Sequence, residues 1–153
     1  MDEVKLAWCG GLFDGEGNLS LCRHQSKAKY PVNEFLYQTN IQVAMVDKAP
    51  LIVFQQILGG RIYGAYNYSG KHCKPFWRWD CPTSKQIELL ERLLPYLVSK
   101  LKRALLFIEA RRLLEQHKRE HKGFQKRKGM GVPYPSRLNE IYTELRELNK
   151  RGI

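Results

Sequence analysis

Two acids separated by one glycine, Asp14 and Glu16, close the string Ala7-Trp8-Cys9-Gly10-Gly11-Leu12-Phe13-Asp14-Gly15-Glu16-Gly17. An acid at the end of a helix meets the negative end of the helix macrodipole, and a bound cation reverses that penalty. The pattern therefore suits a helix that delivers a carboxylate to a metal, and the two acids are equal candidates on this ground alone. Gly10 and Gly11 add a second signal. Each costs a helix about 1 kcal/mol relative to alanine, so a helix that keeps both uses them, and the usual use is close approach of another backbone. A helix that merely ends in a polar turn also produces Asp-Gly-Glu-Gly, so the rest of the chain has to decide.

Composition narrows the field. The chain has 153 residues, 43% hydrophobic and 11% aromatic, which is enough for one domain with a real core. No run of eighteen apolar residues is present, and Met1-Asp2-Glu3-Val4-Lys5 lacks the character of a secretory leader. Four cysteines, Cys9, Cys22, Cys73 and Cys81, show neither metal-binding nor disulfide-framework spacing. A reducing intracellular compartment is expected, whether a bacterial or phage-infected cytoplasm or an organelle. Net charge is +11 and the pI about 9.6. Residues 97–153 hold 15 Lys and Arg against 6 Asp and Glu, whereas residues 1–96 hold 11 against 9. Such concentrated positive charge points to a polyanionic partner.

The elements that must position the acids follow from periodicity. A first helix is predicted over Val4–Phe13, with Val4, Trp8 and Leu12 as its apolar stripe. Strands are predicted over Asn18–His24 and Leu36–Ala44, with residues 25–34 as a loop. Asp47 is expected to cap a helix ending at Leu58, which Gly59 and Gly60 stop. A hairpin follows: a strand over Arg61–Tyr68, a turn at Ser69-Gly70-Lys71 and a strand over Lys74–Cys81. In the last strand, Trp77 and Trp79 are placed toward the helices and Lys74, Arg78 and Asp80 on the opposite face. Ser84 is expected to cap a helix to Leu94, broken by Pro95. A long helix over Val98–Glu120 carries Leu101, Leu105, Ile108 and Leu113 as its inward stripe. A basic loop, Lys118–Lys128, leads to a final helix capped by Ser136 and ending near Asn149. The class is α+β, in the order αββαββα with extra C-terminal helices. A four-stranded antiparallel, saddle-shaped sheet would have helices on one face and its other face bare.

On that bare face Gln38, Asn40 and Gln42 alternate as a ladder of amides, the side chains that make bidentate contacts to base edges in the major groove. A solvent-exposed polar face has the same appearance. His117 and His121 are spaced i, i+4, but they sit in a basic helix end without an acid-rich partner, and a zinc site is not expected there.

The segment Cys9–Gly17, with Gly11, Leu12, Asp14, Glu16 and Gly17 in register, resembles the signature motif of the LAGLIDADG homing endonucleases. Gly59-Gly60-Arg61-Ile62-Tyr63, Trp77-Arg78-Trp79 and Pro95-Tyr96-Leu97-Val98-Ser99-Lys100 are similar to family segments in the same order. The resemblance runs from Leu6 to about Leu114. It implies a single domain over residues 1–153, with a core over 1–116 and the basic loop and last helix over 117–153. It makes Glu16 the metal-binding acid, with the carbonyl of Gly15 as a second oxygen, and Lys100 the basic residue beside the scissile phosphate. A glutamine common in the family falls on Met45 here.

The resemblance also implies the chemistry: metal-dependent phosphodiester hydrolysis that cuts both strands of a long pseudo-palindromic DNA site. Mg²⁺ is the expected cofactor, with Mn²⁺ substituting and Ca²⁺ supporting binding without cleavage. One motif without an internal repeat implies a homodimer, with Trp8, Gly10, Gly11 and Asp14 at the interface. The DNA-facing set would be Ser20, Cys22, His24, Gln38, Asn40, Gln42, Arg61, Tyr63, Lys74 and Arg78 on the sheet, with Lys102, Lys122, Lys126, Arg127 and Lys128 against phosphates. The alternative is a non-cutting binder on the same fold, an intron RNA maturase or a DNA-binding regulator.

Overall fold

The computed structural model describes residues 2–27, 29, 31–67, 73–122 and 132–150. Its elements run α1 (Glu3–Glu16), β1 (Gly17–Gln25), β2 (Phe35–Met45), α2 (Ala49–Leu58), β3 (Arg61–Tyr66), β4 (Phe76–Asp80), α3 (Gln86–Leu93), α4 (Leu101–Glu120) and α5 (Ser136–Leu148). This is the α+β order read from the sequence, with a four-stranded antiparallel sheet in strand order β1-β2-β4-β3. Among the described residues no helix is long and apolar enough to cross a membrane.

The chain divides into two compact units. One comprises residues 1–19 and 40–104, the other residues 20–39 and 105–153. In the first unit Trp79 is fully buried and meets Phe54 of α2 edge-on, with ring centroids 4.7 Å apart. Its indole Nε1–H donates to the Gly59 carbonyl at 2.7 Å, which ties β4 to the end of α2. Gly60 has φ +90, and a Cβ there would overlap the Trp79 indole, so both its conformation and the close approach require glycine. β4 pairs with β2 and β3, placing Arg78 opposite Ala44 and Tyr63, and Asp80 opposite Gln42 and Arg61. In the second unit α4 and α5 enclose Leu21, Leu106, Ala110, Leu138, Ile141 and Leu145. Arg137 joins the two helices through Glu109, while Glu140 and Glu144 of α5 share its guanidinium.

Several boundaries differ from expectation. The first helix continues through both acids to Glu16, because Gly17 and not Gly15 makes the exit. The third strand ends at Tyr66 and the fourth begins at Phe76, leaving Lys74 ahead of Pro75 outside the ladder. The turn at Ser69-Gly70-Lys71 lies outside the described residues. Ser84 falls in a 3₁₀ turn, Thr83–Lys85, and Ser136 is the first helical residue of α5; neither helix has a side-chain cap. Lys48 takes the N-cap position of α2, and Asp47 sits one residue ahead of it, its Oδ1 accepting from the Ala49 amide at 2.9 Å.

The long helix starts at Leu101, three residues later than expected, and its buried face is rotated. Leu101 and Leu105 are exposed, while Ala104, Phe107, Ile108 and Ala110 are buried. A stripe chosen for large apolar residues keeps Ile108 but passes over the alanines that allow helices to pack closely.

Candidate active site and nucleic-acid face

Asp2 caps α1 by accepting from the Val4 amide at 3.1 Å. Eight residues into the helix, Gly10 is buried against Tyr96, and a Cβ built on it would overlap that side chain. Gly11 is exposed, and a Cβ there meets nothing within 4 Å. The two glycines therefore differ in role: Gly10 makes its close approach within the chain, and Gly11 lies open. Trp8 is 41% exposed and Val4 75% exposed on the same helix. A cleft lined by Val4, Lys5, Trp8, Val53, Gln56 and Ile57 opens beside them.

At the end of α1, Asp14 and Glu16 part company. The Asp14 carboxylate accepts from the backbone amides of Val98 at 3.2 Å and of Ser99 and Lys100 at 2.9 Å each. It thereby caps the bend that leads into α4, whose first intrahelical bond runs from the Ala104 amide to the Lys100 carbonyl at 2.9 Å. Partial burial raises the Asp14 pKa, but the amides of Ser99, Lys100 and Val98 outweigh it and hold the carboxyl below 3.8. Asp14 is thus committed within its own chain. The Glu16 side chain is exposed at the helix end, with no partner of that kind among the described residues.

Lys100 completes the arrangement. It is 8% exposed, and its ammonium donates to the carbonyl oxygens of Asp14 and, at 3.3 Å, of Gly15. These are final carbonyls of α1, which lack partners inside the helix and carry its negative dipole end. The Ser99 hydroxyl also donates to the Asp14 carbonyl, at 3.2 Å. Burial lowers the Lys100 pKa below 10.5; Asp14 and Glu16 oppose that shift and Arg103 assists it. The structure therefore brings together Glu16, Gly15 and Lys100, three of the residues singled out in the sequence. Ser99 is a member of the site that sequence reasoning missed, and its only signal was its place beside Lys100.

Hard oxygen donors suit a magnesium-like ion, and Glu16 supplies one. The Gly15 carbonyl already faces the Lys100 ammonium. Among the described residues no group of three or more His, Cys, Asp or Glu side chains could hold a metal. One chain thus fits such an ion only in part.

The sheet face sorts as its alternation requires. In β1, Leu19 and Leu21 are buried, while Ser20, Cys22 and His24 lie on the other face; His24 Nε2 is 3.2 Å from Gln38 Oε1. In β2, Thr39, Ile41 and Val43 are buried, and Gln38, Asn40 and Gln42 alternate with them. Arg61 and Tyr63 are exposed on β3, as is Lys74 ahead of β4. Arg78 of β4 lies opposite Tyr63, its guanidinium 5.8 Å from that ring and 5.3 Å from the ring of Tyr66. Asp80, 2.9 Å from Arg78 Nε, was not singled out as a site residue, although its alternation with Trp79 places it on this face. Lys102 and Lys122 are exposed, and Lys126, Arg127 and Lys128 lie outside the described residues. The rings of His117 and His121 lie 4.7 Å apart, tilted by 42°, and spend one nitrogen each on the carbonyls of Val132 and His117.

No protein-family model and no curated protein matches the chain. Its fold does match solved structures along its whole length. The homing endonuclease I-CvuI, in complex with the I-CreI target in the presence of Mg, is 21% identical with a TM-score of 0.68, over 99% of this chain and 85% of its own. The archaeal intron-encoded homing endonuclease I-Vdi141I, complexed with DNA, is 16% identical with a TM-score of 0.70, over 100% of this chain and 89% of its own. The LAGLIDADG homing endonuclease I-SmaMI, bound to cleaved DNA, is 19% identical with a TM-score of 0.65; the match takes in 97% of this chain but 44% of I-SmaMI. At these identities the likeness is one of fold.

Proposed function

Proceeding from a fold shared with the LAGLIDADG homing endonucleases, we propose that two copies of this chain form a site-specific endonuclease. It cuts both strands of a pseudo-palindromic duplex by Mg²⁺-dependent hydrolysis. The observation that carries this reading is the buried Lys100 ammonium seated on the last carbonyls of α1, next to an exposed Glu16 carboxylate. The Lys100 ammonium caps α1 in either reading; what favours cutting is that the same charge lies beside the Glu16 carboxylate.

Pairing two chains supplies what one lacks. Trp8, Val4 and Gly11 are exposed on α1, and a second α1 against them would bring two Glu16 carboxylates close together. Like charges so placed repel each other unless cations lie between them. That this chain spans 44% of I-SmaMI fits an assembly of two such units. Two-fold symmetry in the protein calls for a pseudo-palindromic site.

Within the site each residue has a defined task. Glu16 and the Gly15 carbonyl would hold the divalent ion, which when bound neutralises charge on the phosphate and lowers the pKa of water. Lys100 donates hydrogen bonds to oxygen and offers its positive charge where negative charge builds up on the phosphate. Asp14 keeps Lys100 in place from the backbone side. The polar sheet face, with Gln38, Asn40, Gln42, Arg61 and Arg78, reads base edges in the major groove. The positive charge of residues 97–153 holds the backbone.

A second reading keeps the binding and drops the cutting, and it rests on Met45, where the family carries a glutamine. Partly randomised, pseudo-palindromic duplexes incubated with the protein in Mg²⁺ or Ca²⁺ separate the two. The endonuclease gives staggered ends at one symmetric motif in Mg²⁺ alone, and Glu16→Gln keeps the binding motif while losing the ends. Enrichment without cleavage in Mg²⁺ establishes the binder; selection of structured RNA in place of DNA moves the activity to an intron.

A further inference from the structure

The outward face of β4 carries an acid, Asp80, on a surface otherwise suited to a polyanion. Its neighbours explain it. Asp80 Oδ1 and Arg78 Nε are both buried and lie 2.9 Å apart, an ion pair in close contact but not aligned as a hydrogen bond. The Arg78 guanidinium is flanked by the rings of Tyr66 at 5.3 Å and Tyr63 at 5.8 Å. Its Nη groups have no hydrogen-bond partner among the described residues, and the side chain remains 35% exposed. Trp79 between them is buried against Phe54, so Arg78 and Asp80 both lie on the sheet face away from α2.

Resting on the reading of this protein as a DNA endonuclease, we propose that Asp80 is a positioning residue for Arg78, and that Arg78 reads one guanine in each half-site. An arginine serving as a phosphate clamp gains from an uncompensated charge. Here Asp80 cancels that charge while the tyrosines restrict the side chain's rotamers. What survives is the planar fork of donors, whose geometry matches guanine O6 and N7. The small neighbour Ala44, opposite Arg78 on β2, leaves room for a base edge. Direct reading of a cytosine amine by Asp80 is disfavoured, because its Oδ1 is buried against Arg78.

The test is base-preference selection on randomised duplexes in Ca²⁺, with the salt dependence of binding measured beside it, on the parent, Arg78→Gln, Arg78→Lys and Asp80→Asn. The parent should select guanine at one position per half-site. Arg78→Gln and Arg78→Lys should lose that preference by about tenfold or more and leave the other positions intact. Asp80→Asn should relax the same position. The intact positions report folding in every variant. The proposal is overturned if Arg78→Gln weakens all sequences alike and reduces the salt slope by about 1, the mark of a phosphate contact. It is also overturned if Asp80→Asn alters a different position. A parent that selects no DNA sequence brings down the endonuclease reading itself, and this proposal with it.

Discussion

Asp14 and Lys100 engage each other in both directions across 86 positions of the chain. The Lys100 amide donates to the Asp14 carboxylate at 2.9 Å, while the Lys100 ammonium donates back to the Asp14 carbonyl. The end of α1 and the approach to α4 thus cap each other: one lends a carboxylate to free amides, the other an ammonium to free carbonyls. The exchange fixes where the Lys100 charge sits relative to Glu16.

Asp14→Ala should destabilise the fold by about 1–2 kcal/mol in urea titration at neutral pH, as the loss of a capping side chain does. The dependence on pH carries a sign. Because the folded-state pKa lies below 3.8, the stabilisation is complete above that value and is lost as pH falls through the folded pKa. The gap between parent and variant should therefore close in acid. A gap of constant size would mean that the amides find other partners.

Lys100→Met should bind duplex DNA as the parent does and cut it about 10²–10³-fold more slowly, the effect of removing one donor from a developing anion. Burial holds the Lys100 pKa below 10.5, so the parent's cleavage should decline with alkaline pH before that value is reached. The same shift makes charged Lys100 a cost to folding that is relieved as pH rises from the folded pKa toward 10.5. Lys100→Met should lack that part of the stability profile.

Gly10→Ala and Gly11→Ala, one residue apart, should act in opposite ways. The first drives a methyl into Tyr96 and should cost about 1–3 kcal/mol through overpacking. The second meets nothing within the chain and should strengthen α1 by up to about 1 kcal/mol. If two α1 helices meet at Gly11, that variant should sediment as a monomer at concentrations where the parent is a dimer. Unchanged self-association would remove Gly11 from the interface.

Trp79→Phe keeps an aromatic ring against Phe54 but removes the donor to the Gly59 carbonyl, and a loss of about 1–3 kcal/mol is expected in thermal or chemical unfolding. Gly60→Ala should destabilise as well, since φ +90 and the indole both exclude a Cβ.

Much of the fold was legible because alternation and helical spacing are local properties. Strand alternation placed Gln38, Asn40 and Gln42 on one face and Trp77 and Trp79 toward the helices, and the glycine pair at 59 and 60 marked the end of α2. The inward stripe of α4 holds at Ile108 and Leu113 but not at Leu101 and Leu105, which look apolar in any window; only packing shows that Ala104 and Phe107 take the buried side.

The sequence by itself determined the α+β order, the polarity of the sheet faces and the pair of acids from which the site is built. Tertiary structure decided which acid is free. Asp14 and Glu16 have the same charge and nearly the same local setting, and no spacing rule separates them. They part because three amides 84 to 86 residues downstream converge on Asp14 alone. A backbone amide carries no side-chain signature, so a site assembled from amides is invisible until the chain has folded. The same holds for Gly10, whose need for glycine is set by Tyr96, and for Asp80, whose place on the polar sheet face makes sense only beside Arg78.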